Sequence, residues 1–169
     1  MMKKYFSFSG RLNRKRYWLR TLVLFALMFA AVMGIALAVG MGGSLLSGDT
    51  TGLAAGELGA GAILVGIVFF VVVLAVTVAG LSLSARRLHD RDKSAWWLVV
   101  FYVLPGILSG DSGLFGPPDG GLATVVNIVG LGLSLWGLVE IGFLRGTAGP
   151  NRFGEDPLEH HGAAADVFA

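Results

Sequence analysis

Three long apolar runs set the plan of the chain. Residues 18–41 carry no charge after Arg20, residues 60–84 carry none and centre on IVFFVVVLAV, and residues 122–144 hold one acid, Glu140. A hydrocarbon core of about 30 Å takes about 20 such residues as a helix, so each run predicts a transmembrane helix. A fourth run, 95–109, is shorter and contains Pro105-Gly106. It predicts either a short, kinked transmembrane helix or a re-entrant or interfacial segment. The segments 42–59 and 110–121 are rich in Gly, Ser and Pro and predict flexible connectors with no catalytic grouping.

Charge decides how the runs are threaded. With four spans, residues 1–17, 85–94 and 145–169 share one side of the membrane, and all 13 Lys and Arg lie there or, for Arg20, at the mouth of the first helix. The opposite segments hold only acids: Asp49, Glu57, Asp111 and Asp119. The positive-inside rule then puts both termini in the cytoplasm. Three spans would strand Arg145 and Arg152 outside. The predicted fold is therefore all-α: a polytopic inner-membrane protein with four transmembrane helices over about 18–41, 60–84, 95–109 and 122–144. Residues 1–158 form one domain, and 159–169, which include His160-His161, form a solvated, disordered tail. A cleavable signal peptide does not fit, because the first apolar run is too long and three more follow it.

Composition agrees. The chain is 54% apolar and 14% charged, against about 45–50% and about 25% in ordinary soluble domains, and its mean hydropathy is +0.73. The absence of cysteine removes disulfides, thiolate nucleophiles, iron–sulfur clusters and thiolate zinc sites. No cofactor and no nucleic-acid partner are expected.

Lipid supplies no hydrophobic drive between helices, so small residues must let backbones approach. Ala26, Ala30, Gly34 and Ala38 share a face of the first helix; Ala75/Ala79 and Gly80/Ser84 do so on the second, and Gly130/Ser134 with Gly137 on the fourth. These stripes serve bundle packing within one chain or, alternatively, homo-oligomerisation.

The polar stretch SARRLHDRDKSAWW, residues 84–97, carries the most chemistry. If the second helix continues through it, Arg86 and Asp90 stand at i, i+4 and pair, while His89 and Lys93 sit one turn apart. Asp92 or Ser94 is placed to cap the third helix, and Trp96 and Trp97 fall at headgroup depth. Every residue thus has a structural task. Among functional readings, one His and two Asp beside four cations make a poor metal site. Acid–base work by His89 and Asp90 lacks a recognisable nucleophile. Anion recognition by Arg86, Arg87, His89, Asp90, Arg91 and Lys93 is the better functional reading, since Arg grips phosphate through two donors. Arg11 and Arg14, in the aromatic-flanked stretch YFSFSGRLNRKRYW, extend that surface, and Asn13 is placed to cap the first helix.

Glu140 and Asn127 are the intramembrane polar residues of the last span. Glu140 lies near its cytoplasmic end, where Arg86, Arg87 or Arg145 would neutralise it. In GPNRFGEDP, Pro150, Gly154 and Pro157 punctuate the chain and Asn151 bonds its own backbone. This predicts a turn whose Arg152, Glu155 and Asp156 fold back onto residues 86–93.

GRLNRKRYW, RRLHDRDKSAWW and GPNRFGEDP together resemble the bacterial family called domain of unknown function 805, over about residues 5–158. Ala95 stands where that pattern would have Gly. The resemblance implies a small inner-membrane protein with four helices and brings no activity with it. The expectation is thus a structural or binding membrane protein, not an enzyme, whose basic cytoplasmic face contacts anionic lipid headgroups or a membrane-protein partner. The alternative is a small transporter or channel in which Glu140 and Asn127 face a common wet cavity. An enzyme acting on headgroups, with His89 as base, comes third.

Overall fold

Asn13 opens the first helix: its Oδ1 accepts the Arg16 N–H at 2.9 Å, the bond that satisfies a free donor at a helix start. The computed structural model, which describes residues 5–47, 60–109, 114, 115, 117 and 120–158, runs α1 from Arg14 to Ser47. The cap and the strong helix formers Arg14, Lys15 and Arg16 set the start four residues before the apolar run. The second helix, α2, spans Ala60–His89 and so carries the basic stretch for one turn beyond the expected end.

It stops by a paired backbone closure. The Lys93 N–H reaches the Leu88 carbonyl at 2.9 Å and the Asp92 N–H reaches that of His89 at 3.1 Å, with Asp92 left-handed at φ 56°. This geometry usually takes glycine; aspartate tolerates it because its short polar side chain can bond locally. Asp92 therefore ends α2 and does not cap the next helix, which is one correction to the sequence expectation.

Residues 97–107 are helical, wound as a π-turn over Val99–Val103 and closing in α3, Leu104–Ile107. Pro105 cannot donate to Phe101 and its ring crowds that carbonyl; the wider i→i+5 winding just before it relieves both. The last long helix, α4, spans Gly121–Leu138 and finishes in a second π-turn, Val139–Phe143. Three stretches, Arg14–Leu37, Ile63–His89 and Gly121–Phe143, are long and apolar enough to cross a membrane. No strand occurs among the described residues; Asn151 and Gly154 form an isolated bridge. The connectors 48–59 and 110–113 and the tail with His160-His161 lie outside the described residues.

The chain divides into two compact units, Thr21–Gly80 and Met1–Arg20 with Leu81–Ala169. The first is the apolar length of α1 and α2, and its large side chains, Leu22, Phe25, Phe29, Leu64 and Phe70 among them, are exposed, as lipid-facing positions should be. The second unit contains the polar chemistry. Within it the stretch 97–107 runs beside α4, seated on two of its glycines. A Cβ on Gly130 would meet Leu108 Cβ and the Pro105 carbonyl at 3.4 Å, and one on Gly137 would meet Phe101 Cβ at 2.8 Å. The small-residue row of α4 is thus used inside the chain. Trp97, Phe101 and Trp136 complete the contact, their ring centroids 5.2–5.6 Å apart. Gly137→Ala is expected to cost about 1–3 kcal/mol by overpacking, seen as a lower unfolding temperature in detergent. Phe101→Leu in the same chain should recover part of the loss.

Candidate functional site: an arginine network at the end of the last helix

The basic stretch that looks wettest in sequence is the most buried segment of its unit. Residues 82–90 are all buried, with Leu83, Ala85, Arg87 and Leu88 at 0% exposure. The reason lies at the end of α4. A helix leaves its last carbonyls without partners and carries partial negative charge there, and here side chains from elsewhere supply the donors. Arg87 Nε donates to the Ile141 carbonyl at 3.0 Å and its Nη2 to that of Leu144. Trp18 Nε1 donates to Gly142 at 2.9 Å, Arg14 to Phe143 at 3.2 Å and Arg91 to Arg145 at 2.8 Å. The π-turn is held at its narrowest point by Trp18, whose ring lies 2.9 Å from where a Gly142 Cβ would stand.

Asp90 ties the network together. Its carboxylate takes Arg87 and Arg11 Nε at 3.1 Å, while its carbonyl accepts the Thr147 N–H at 2.8 Å and the Thr147 hydroxyl at 3.1 Å. The expected i, i+4 partner Arg86 gives way to Arg87 at i, i+3. Arg86 is itself buried, its carbonyl bound by the Leu12 N–H at 3.2 Å. Burial pushes the Asp90 carboxyl above its ordinary value, against the opposing pull of Arg87 and then Arg11. Gly146 must be glycine, because a Cβ there would run into the Asp90 carboxylate.

Glu140 also takes partners other than those expected. Arg91 Nε and Lys93 Nζ both stand 2.7 Å from its Oε1, and the Lys93 ammonium lies 4.7 Å from the Trp97 ring centre, within cation–π range. Arg86, Arg87 and Arg145, the candidates from sequence, are not in that contact. Asn127 is exposed on α4, about 20 Å along the axis from Glu140 at 1.5 Å per residue.

The segment after α4 folds onto the same knot. Arg11 donates to the Thr147 and Gly149 carbonyls, each at 2.6 Å, and to that of Gly154 at 3.3 Å. Asn151 Nδ2 donates to the His89 carbonyl at 2.9 Å. Arg152 pairs with Asp92 at 3.0 Å, and Phe153 stacks on the His89 ring at 3.9 Å and 4°. Gly149 and Gly154 turn at φ 73° and 134°, where side chains are strained. Asp156 accepts from Leu158 and Gly149 at 2.9 and 3.1 Å, and Pro157 follows it. The Leu158 N–H, and after it that of Gly149, hold the Asp156 carboxyl below its ordinary value. Its support of the turn is present above the ordinary carboxylate value and is lost as pH falls through the lowered one.

Sequence reasoning passed over Trp18, Gly146, Thr147 and Phe153. The available signal was the set of orphan carbonyls that any helix end must satisfy, facing a basic cluster with too few acids of its own.

Membrane-crossing helices whose polar ends are locked by charge-assisted bonds define an all-helical integral membrane protein. The chain belongs to the family described as Protein of unknown function (DUF805), whose model matches residues 5–155. It is 29% identical over 157 residues to Inner membrane protein YhaI of Escherichia coli (strain K12), covering 93% of this chain and 91% of that one. It is 30% identical to Inner membrane protein YhaH of the same strain, covering 93% and 92%. No solved structure matches the chain.

Proposed function

We propose that the protein is a structural or binding component of the bacterial inner membrane. Both termini lie in the cytoplasm, and the cytoplasmic rim contacts anionic lipid headgroups. It acts by binding, not by catalysis. The relatives named as inner membrane proteins support the location. Orientation is supported by the network: the start of α1, the end of α2 and the end of α4 share hydrogen bonds. The chain between Lys93 and Gly121 must then return to the far end of α4. In this reading 97–107 with its connector is a fourth passage, and all the cations fall on one side.

One observation carries the binding reading. Seven of the basic residues play two parts. Arg11, Arg87 and Arg91 give their donors to acceptors within the chain, whereas Lys15, Arg16, Arg145 and, beyond its one bond to Phe143, Arg14 are exposed. In the same N-terminal stretch of sequence Phe6, Phe8 and Trp18 are also exposed, the mixture suited to an interface. The face is therefore built from Arg14, Lys15, Arg16 and Arg145, while residues 86–91 hold it together. The transport reading is not favoured, since Glu140 is held by two cations and lies far from Asn127. His89, flat against Phe153, is poorly placed as a base.

Two measurements test the proposal. The chain has no cysteine, so single cysteines report cleanly: one at Glu155 should label only after the inner membrane is opened, and one at Asp119 in intact spheroplasts. Reconstituted in nanodiscs, the protein should unfold at a higher temperature as phosphatidylglycerol replaces phosphatidylcholine, with the gain shrinking in high salt. An unfolding temperature indifferent to lipid charge would remove the headgroup reading.

A further inference from the structure

Beside the knot is a cleft of about 160 Å3, lined among others by Asn13, Arg14, Arg87, Asp90, Arg145 and Asp156. Its charges are unequally matched. Asp90 is taken by Arg11 and Arg87, Glu140 by Arg91 and Lys93, and Asp92 by Arg152. Arg14 and Arg145 form no ion pair among the described residues. Arg14 gives one Nη to the Phe143 carbonyl, which leaves the rest of its guanidinium fork. Arg145 contributes to the network through its carbonyl alone. Asp156, on the rim, has both carboxylate oxygens engaged by backbone N–H groups. The cleft therefore presents two guanidiniums outside any close ion pair, Arg145 feeling the Asp156 carboxylate only at longer range, at the level where α1 enters its apolar run and Trp18 docks.

We propose that this cleft is a phosphate-binding site, in which Arg14 and Arg145 grip the two non-bridging oxygens of one phosphate group. Paired guanidiniums are the standard recognition of that group, because each presents parallel donors to two oxygens. Arg87, fixed behind them by Asp90 and two carbonyls, forms the cleft's inner wall. The phosphate is supplied either by a phospholipid headgroup or by a soluble phosphate compound. The inference rests on the headgroup reading above and places its specific contact.

The test uses the full chain in mild detergent, with native mass spectrometry against phosphatidylglycerol, against diacylglycerol of the same acyl chains, and against inorganic phosphate. Arg145→Gln removes no described side-chain hydrogen bond and should leave the unfolding temperature unchanged. It should weaken phosphatidylglycerol retention roughly fivefold, as about 1 kcal/mol per cation implies, and the Arg14→Gln/Arg145→Gln double variant should weaken it further. Arg152→Gln removes one cation that lies outside the cleft and is already paired with Asp92, and should change retention less than about twofold. Retention of phosphatidylglycerol with no competition from inorganic phosphate assigns the site to lipid; saturable phosphate binding lost in Arg145→Gln assigns it to a soluble ligand. Equal loss in Arg152→Gln, or none in Arg145→Gln, overturns the site while leaving general headgroup contact standing. A wild-type protein that takes up neither probe overturns both.

Discussion

Replacing Asp90 by Ala should be among the most damaging single substitutions in this chain. The carboxylate stands between Arg11 and Arg87, whose side chains are 1% and 0% exposed, so its removal leaves two buried cations facing one another. Breaking a buried ion pair by deleting one partner costs about 3–5 kcal/mol, a large share of what a small domain has to spare. The expected result is a sharp fall in unfolding temperature in detergent and poor accumulation in membranes. Asp90→Asn should do less harm, because an amide oxygen still accepts from one guanidinium while its NH2 group clashes with the other. A loss below about 1 kcal/mol for Asp90→Ala would mean that Arg11 and Arg87 find other partners, and the knot as described would be wrong.

The second large effect belongs to Arg87. One planar fork serves three acceptors at once: the Ile141 carbonyl, the Leu144 carbonyl and Asp90. A lysine brings the same charge as a single ammonium and cannot reach all three in that geometry. Arg87→Lys should therefore behave much like Arg87→Ala, each losing about 3 kcal/mol or more as buried acceptors go unpaired. Hydrogen exchange should locate the damage: amides from about 141 to 147 should open early, while those in the middle of α4 stay protected. Substantial rescue by lysine would show that charge alone, without the fork, holds the helix end.

How much of this was legible before the structure follows from what each signal measures. Hydropathy reports solvent along the chain, and it located α1, α2 and α4, with one end of each five or six residues off. The N-cap at Asn13 was legible too, because capping is local. The pairings were not. Arg86–Asp90 was the natural i, i+4 pair, yet α2 ends at His89 and Asp90 sits where Arg11, 79 residues away in sequence, can reach it. Glu140 was expected to meet a cation near the same membrane face and does, but its partners Arg91 and Lys93 come from the turn beyond α2. Hydropathy also misjudged 82–90. It assigns charged residues to water, whereas these are buried because the carbonyl end of α4 accepts hydrogen bonds in water's place. The short passage 97–107 was ambiguous for a related reason: Pro105 breaks the regular pattern, and only the seat on Gly130 and Gly137 fixes where the segment lies.

The capping of α4 also has a direction in time. A ribosome makes Arg11, Arg14, Arg87 and Arg91 before it makes residues 141–154, so each donor exists before the carbonyl it will hold. Until α4 is complete, Asp90 can already take Arg11 and Arg87, but the carbonyl partners of these side chains are not yet made. The carbonyls of residues 141–145 then take the waiting donors of Arg87 and Arg91, so the helix end closes onto side chains made before it.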